Sequence, residues 1–483
     1  MHRRQFLRGV AGSIGLASIG AAGAHPGPYR PLGKVPITNA KEAVPDENGE
    51  VAYVAATDGF ATVDVRVPSD PQLLAERRDL LSDRETGPLR LIQDAKVEGD
   101  RLALVGPANP LEGDVLQGLV VYDVSDPTDP QQIGFYETSY PIHNCDIDDG
   151  VVYLTANDGE TNSLVAVDAG DGEVTELGQW SLLDRDESWR EVAGPLRTLH
   201  DVRVRDDRAY LAYWDAGTYI LDVSDSADPA FVSRIGGRPR GELAEISGEE
   251  GRNAVIGLPG NAHYATTDES GDLLGINREA WAVDGDGGPG GVELWDVSDE
   301  TAPEQLAAIE APASSDPSIG GTWTTSHNFD IVGDRLFTSW YQGGVKIHDI
   351  SDPANPEELA WWRDPDEAAF WTAKLATEKF FVASSMGRRA NGKGALYAFP
   401  NHAGEQKDPP ALTTTATGTE TADETTVETT ITTETTTTTQ QAALDEDEET
   451  TEANASGDAP GFGAPAAVAA LLGAGAWRTF RQK

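Results

Sequence analysis

The chain has 483 residues, 81 of them acidic and 36 basic, for a formal charge of −45. Residues 1–24 and 460–483 each carry three basic groups and no acid, and residues 413–459 carry twelve acids and no base, which leaves −39 on residues 25–412. A body so acidic repels nucleic-acid phosphates and anionic membrane surfaces, so neither is expected as a partner. Only nine of the basic residues are Lys, and high acid with little Lys is expected of a protein kept soluble in concentrated salt, where the Debye length falls to roughly 3 Å. The single cysteine, Cys145, excludes an intrachain disulfide, so stability must come from the core.

The first element, residues 1–24, pairs Arg3-Arg4 with Phe6-Leu7, then an apolar run of small residues ending Ala22-Gly23-Ala24. This order of charged region, apolar region and small-residue cleavage site reads as an export signal cut before His25. It resembles the twin-arginine signal, which exports proteins already folded. The alternative is an uncleaved anchor, although the run is short against the ~20 residues of a comfortable span.

Residues 25–412 are repetitive. YDVSDPTDP (122–130), LDVSDSADP (221–229), WDVSDETAP (295–303) and HDISDPANP (348–356) nearly superimpose, each after an alternating apolar run and before another, with degenerate copies at 62–71 and 167–175. The runs predict strands and the Ser-Asp-x-x-x-Pro stretch a turn, its Asp and Ser capping backbone N–H groups. Upstream lies a second pattern: His143-Asn144-Cys145-Asp146, His200-Asp201-Val202-Arg203, His263-Tyr264-Ala265-Thr266 and His327-Asn328-Phe329-Asp330, with weaker matches at Thr38–Lys41, Gln93–Lys96 and Trp371–Lys374. The unit is four strands, a to d, beginning near 38, 93, 143, 200, 263, 327 and 371, at spacings of 44 to 64 residues. That period predicts an all-β fold, a β-propeller of about seven four-stranded blades. The last unit lacks a strand d, and residues 31–37 resemble one, so the N-terminal segment is expected to complete the last blade and close the ring. The DVSDP units are similar to the LVIVD-repeat family of secreted propeller-like proteins, a resemblance over roughly residues 30–400 that implies the fold and no established activity.

Four histidines, His143, His200, His263 and His327, begin strand a in four successive repeats and would ring one mouth of the central channel. Converging imidazoles suit Zn²⁺ or Cu²⁺. The competing readings are a hydrogen-bond network within each blade, with Asn144, Asp201 and Asn328 taking part, or direct contact with a ligand. Cys145 reads as a buried small hydrophobe, or else as a softer ligand. The long connections 181–199, 236–262 and 312–326 are all d-to-a loops and open on the same face as the b-to-c turns. Trp214, Arg238, Arg240, Trp323, Trp340, Arg388 and Arg389 lie on these segments and are the expected contacts for an anionic or sugar-like ligand; the alternative is solvated loops with indoles packed between blades. Asp284-Gly285-Asp286-Gly287 lacks the spacing of a calcium loop and reads as a turn. No hydrolase, zincin, P-loop or dinucleotide motif is present.

Residues 413–459 follow as a Thr/Glu-rich stalk, seventeen of residues 413–439 being Thr, with the sequon Asn454-Ala455-Ser456. Such a tract cannot build a core and is expected to be disordered. Pro460-Gly461-Phe462, an apolar stretch and a basic close at Arg478, Arg481 and Lys483 complete the chain. This tail resembles the PGF-CTERM sorting signal of archaeal surface proteins, which implies processing by an archaeosortase and replacement by a lipid anchor; with the acidic body it suggests a haloarchaeon. A plain C-terminal membrane anchor is the alternative. The expectation is therefore an exported cell-surface propeller that binds a partner, a glycan or a small anionic ligand. Its rival is an exported metalloenzyme with a histidine-lined funnel.

Overall fold

The repeated turn shows how each unit folds. In Gly118–Asp123 every residue up to Tyr122 is buried. Asp123 then accepts the Ser125 N–H at 2.9 Å, and Asp126 the Thr128 N–H at 3.0 Å and its hydroxyl at 2.6 Å. The chain thus reverses into Gln131–Glu137, which pairs antiparallel with the strand it has left. The same Asp-to-N–H bonds recur at Asp222, Asp296 and Asp349. These aspartates and serines are turn caps, as their side-chain chemistry requires.

The computed structural model describes residues 28–170, 174–388 and 393–413. The expected signal segment, the stalk beyond residue 413, the PGF tail and Arg389 lie outside these. Seven antiparallel sheets of four strands follow one another. Strand a, nearest the axis, is Ala40–Pro45, Asp94–Glu98, Ile142–Asp148, Asp201–Arg205, Ala262–Thr267, Asp330–Val332 and Lys374–Thr377 in blades 1 to 7. Each a strand neighbours the next, and blade 7 returns to blade 1, so the ring is closed. Closure is made as the sequence suggests: Gly33–Pro36 forms strand d of blade 7, with Gly33 opposite Ala398 and Pro36 opposite Ala395. One addition was not anticipated: Gly404–Glu405 pairs in parallel with Glu357–Trp362 as a fifth strand of blade 6. Among the described residues no helix is long and apolar enough to cross a membrane.

The core lies between blades, where apolar faces of successive sheets meet. Phe60 of blade 1 packs edge-on against Tyr122 of blade 2 at 4.8 Å, and Phe337 of blade 6 meets Phe381 of blade 7 at 5.2 Å. Cys145 is fully buried in such an interface, between blades 2 and 3, and burial pushes its thiol well above the usual range.

The axis itself is filled by paired polar side chains. Asp94 pairs with Lys96 and accepts the Cys145 N–H of the next blade. Asp146 repeats this toward blade 4, accepting the Val204 N–H at 2.7 Å and pairing with Arg203. Asp330 accepts the Leu375 N–H of blade 7, and Lys374 lies 3.5 Å from Glu42. Asn144 donates to Asp201 at 2.6 Å, and Asn328 to Glu42 at 2.9 Å. Buried polar groups must be satisfied, and here carboxylates bonded to the next blade's strand do so while tying the ring together.

Candidate metal centre at the channel mouth

Strand a opens in blades 1, 3 and 5 with a β-bulge: pairing jumps from Ala40 to Ala43, from Ile142 to Cys145, and from Ala262 to Ala265. A bulge re-aims the side chains within it. Aligned on this register, one position is held in blades 1 to 7 by Lys41, Gln93, His143, His200, His263, His327 and Trp371. Sequence matching pairs Lys41 with Lys96 and Lys374; the bulge instead places it level with the histidines. A second tier comes from the turn after strand b, where Trp214, Glu279, Tyr341 and Met386 occupy equivalent positions in blades 4 to 7. Trp214 and Tyr341 hold positive φ, 34° and 45°, and each bridges to the residue just before the next blade's ring position, Ala262 or Phe370. An unusual backbone state is thus held where the side chain must turn toward the axis.

The four histidines form a file, each ring against the next, and of the four only His200 and His263 offer ligand atoms to a common group among the described residues. Consecutive ring centroids are 4.2 Å apart for His143 and His200, 4.1 Å for His200 and His263, and 4.4 Å for His263 and His327. Among the described residues none bonds an Asp or Ser of its own blade. Nδ1 of His143 lies 2.8 Å from the Ala108 carbonyl, that of His200 3.0 Å from the His263 carbonyl, and that of His327 2.6 Å from the Trp371 carbonyl, all on neighbouring blades. A carbonyl only accepts, so Nδ1 carries the hydrogen and Nε2 keeps its lone pair. Burial pushes His143 down to about 4 and His200 and His327 well below the usual range, so these rings are neutral at pH 7. A neutral imidazole donating its far N–H to a carbonyl is the form that ligates metals.

His263 differs. Its Nδ1 faces Glu279 Oε2 at 3.2 Å, yet neither ring nitrogen nor that oxygen makes an aligned hydrogen bond, and all three are fully enclosed. The other oxygen of Glu279 accepts the Tyr341 hydroxyl at 2.5 Å. One ligand atom from each of His200, His263 and Glu279 lies within 4.8 Å of the others. Sequence reasoning missed Glu279; its one signal was an acid in the turn after strand b, where blades 4 and 6 carry Trp214 and Tyr341.

The other expected contacts divide. Trp214 stacks at 4.8 Å on His200, and Trp323 reaches the cluster through Tyr341, whose ring is 5.2 Å from it and 4.9 Å from His327. Trp340 is fully buried in the core, donating to Thr338 Oγ1 at 2.7 Å. Arg238 pairs with Asp215 and Glu242, Arg240 with Asp186 and Glu191, and Arg388 lies 3.9 Å from Asp366. These arginines therefore already face carboxylates.

Fold and mouth define the chain as a seven-bladed propeller that carries LVIVD repeats: the LVIVD repeat family matches residues 113–138 and 197–236. No curated protein matches. Among solved structures it is similar to the Cps50 (Swd1) β-propeller domain of Myceliophteria thermophila, at 10% identity and TM-score 0.52, covering 77% of this chain and 99% of that one. It is also similar to a hypothetical selenium-binding protein from Sulfolobus tokodaii, at 13% identity and TM-score 0.50, covering 73% and 90%. Identities this low speak for the fold alone.

Proposed function

We propose that this is an exported cell-surface propeller whose channel mouth is a transition-metal centre, presented to a partner, a glycan or a small anionic ligand. His200, His263 and Glu279 would hold the ion, flanked by His143 and His327; imidazoles with one carboxylate suit zinc or copper. The observation that carries this reading is the set of enclosed ligand atoms of His263 and Glu279 that have no hydrogen-bond partner. Leaving such groups unsatisfied costs about 1–3 kcal/mol each, and an ion would satisfy them together. When bound, it would supply Lewis-acid character at the mouth. An exported metalloenzyme is the second reading, because the same mouth is flanked by the long loops.

Metal content tests the centre. Protein purified in molar salt without chelator is expected to hold about one zinc or copper ion per chain, lost in a His200→Ala, His263→Ala double variant. No metal above that variant's background would refute the centre. Export and anchoring rest on Arg3-Arg4 and on Pro460-Gly461-Phe462. Changing both arginines to Lys should hold the precursor inside the cell, and truncation at Asp458 should release folded propeller into the medium.

A further inference from the structure

Three other cations line the channel, Lys96 buried and Arg203 and Lys374 partly so, and each faces a carboxylate: Lys96 Asp94, Arg203 Asp146, and Lys374 Glu42. Lys41 does not. It is 7% exposed, and its Nζ lies 3.5 Å from Met386 Sδ and 4.3 Å above the Trp371 ring. Among the described residues no carboxylate lies within ion-pair distance of it, although the body carries a large excess of acid. A thioether and an indole face offset only part of an ammonium's desolvation. Trp371 in turn packs at 4.2 Å on His327. The unpaired cation therefore sits one ring away from the histidine file, at the same level of the mouth.

We propose that Lys41 is an anion-binding group of this mouth, its ammonium taking a small carboxylate. The inference uses the mouth of the preceding reading and does not need its metal. Burial lowers the amine to about 8, which leaves it mostly charged at neutral pH. A buried, unpaired positive charge favours an anion over a neutral guest of the same size, because the pair forms where water is scarce.

The test uses the full mature chain at fixed chloride in molar salt, both freed of metal with EDTA and loaded with Zn²⁺. Azide is the probe, read by its antisymmetric infrared stretch, and formate the competitor. The variants are Lys41→Gln, because Gln93 fills this position in blade 2, and Lys41→Arg, with near-UV circular dichroism to confirm folding. Metal-free wild type should show a bound-azide band that formate displaces. Lys41→Gln should weaken azide binding about tenfold or more, the size of a charge-assisted bond, and Lys41→Arg should retain it. If Lys41→Gln does not fold, Lys41→Met takes its place under the same criterion. A band confined to zinc-loaded protein and indifferent to Lys41 would overturn the inference and leave the metal centre standing. No bound band in either wild-type form would also overturn it. A Lys41-dependent band in protein that takes up no metal would sustain it and remove the metal reading.

Discussion

Glu279→Gln separates a ligand from a structural carboxyl. The side chain is fully buried; one oxygen accepts the Tyr341 hydroxyl and the other faces His263 without an aligned bond. Gln is nearly isosteric and can keep the Tyr341 contact. Metal-free protein should therefore change by no more than about 1 kcal/mol, the net worth of one buried hydrogen bond. Metal-loaded protein should lose an anionic ligand. If binding weakens by roughly 100-fold, the stabilisation that saturating metal confers falls by about 2.7 kcal/mol. For a body this large that corresponds to a Tm lower by roughly 3–5 °C. Calorimetric melts of wild type and variant, with EDTA and with zinc, read this directly. Equal shifts with and without metal, or unchanged metal content, would show that Glu279 is structural and refute the ligand set.

His348 stands where the other repeats have Tyr122, Leu221 and Trp295; it is buried, its Nδ1 has no partner among the described residues, and burial, then the Lys346 cation, lowers it to about 3. The unfolded chain takes up this proton below its ordinary value of 6.5 and the folded chain does not, so wild type should lose up to a few kcal/mol as pH falls from 6.5 toward 3. His348→Leu should melt higher with a shallower pH slope; an unchanged slope in urea titrations would contradict this. Deleting residues 28–37 removes strand Gly33–Pro36 and opens the edge at Ala395–Pro400, where Leu396 is buried. The truncated protein should aggregate, and a monodisperse product with native near-UV dichroism would mean that closure does not depend on this strand. The charge of −39 on residues 25–412 predicts loss of near-UV signal at low ionic strength and recovery in salt; a Tm indifferent to salt would count against the halophilic reading.

Much of the architecture was already legible along the chain. Period-two apolar runs and Asp-Ser turns are local devices, so four strands per unit, about seven units and even the N-terminal strand that closes the ring follow from pattern and from the need to leave no open edge. The histidine file was legible for the same reason: one position in a repeat, taken four times in succession, must converge at one mouth. What faces that file depended on tertiary structure. Glu279 and Met386 follow strand b in blades whose sequences there are unalike, and the contact of Met386 with Lys41 spans 345 residues. Identity pairs Lys41 with Lys96 and Lys374, but the bulge after Ala40 shifts it to the histidine level. The hydrogens on Nδ1 of His143, His200 and His327 were likewise set by carbonyls of adjoining blades. Local hydrogen-bond chemistry makes a blade, and the sequence by itself determined that much. Only closure of the ring decided which side chains of different blades share the mouth, because they become neighbours only when blades meet around the axis.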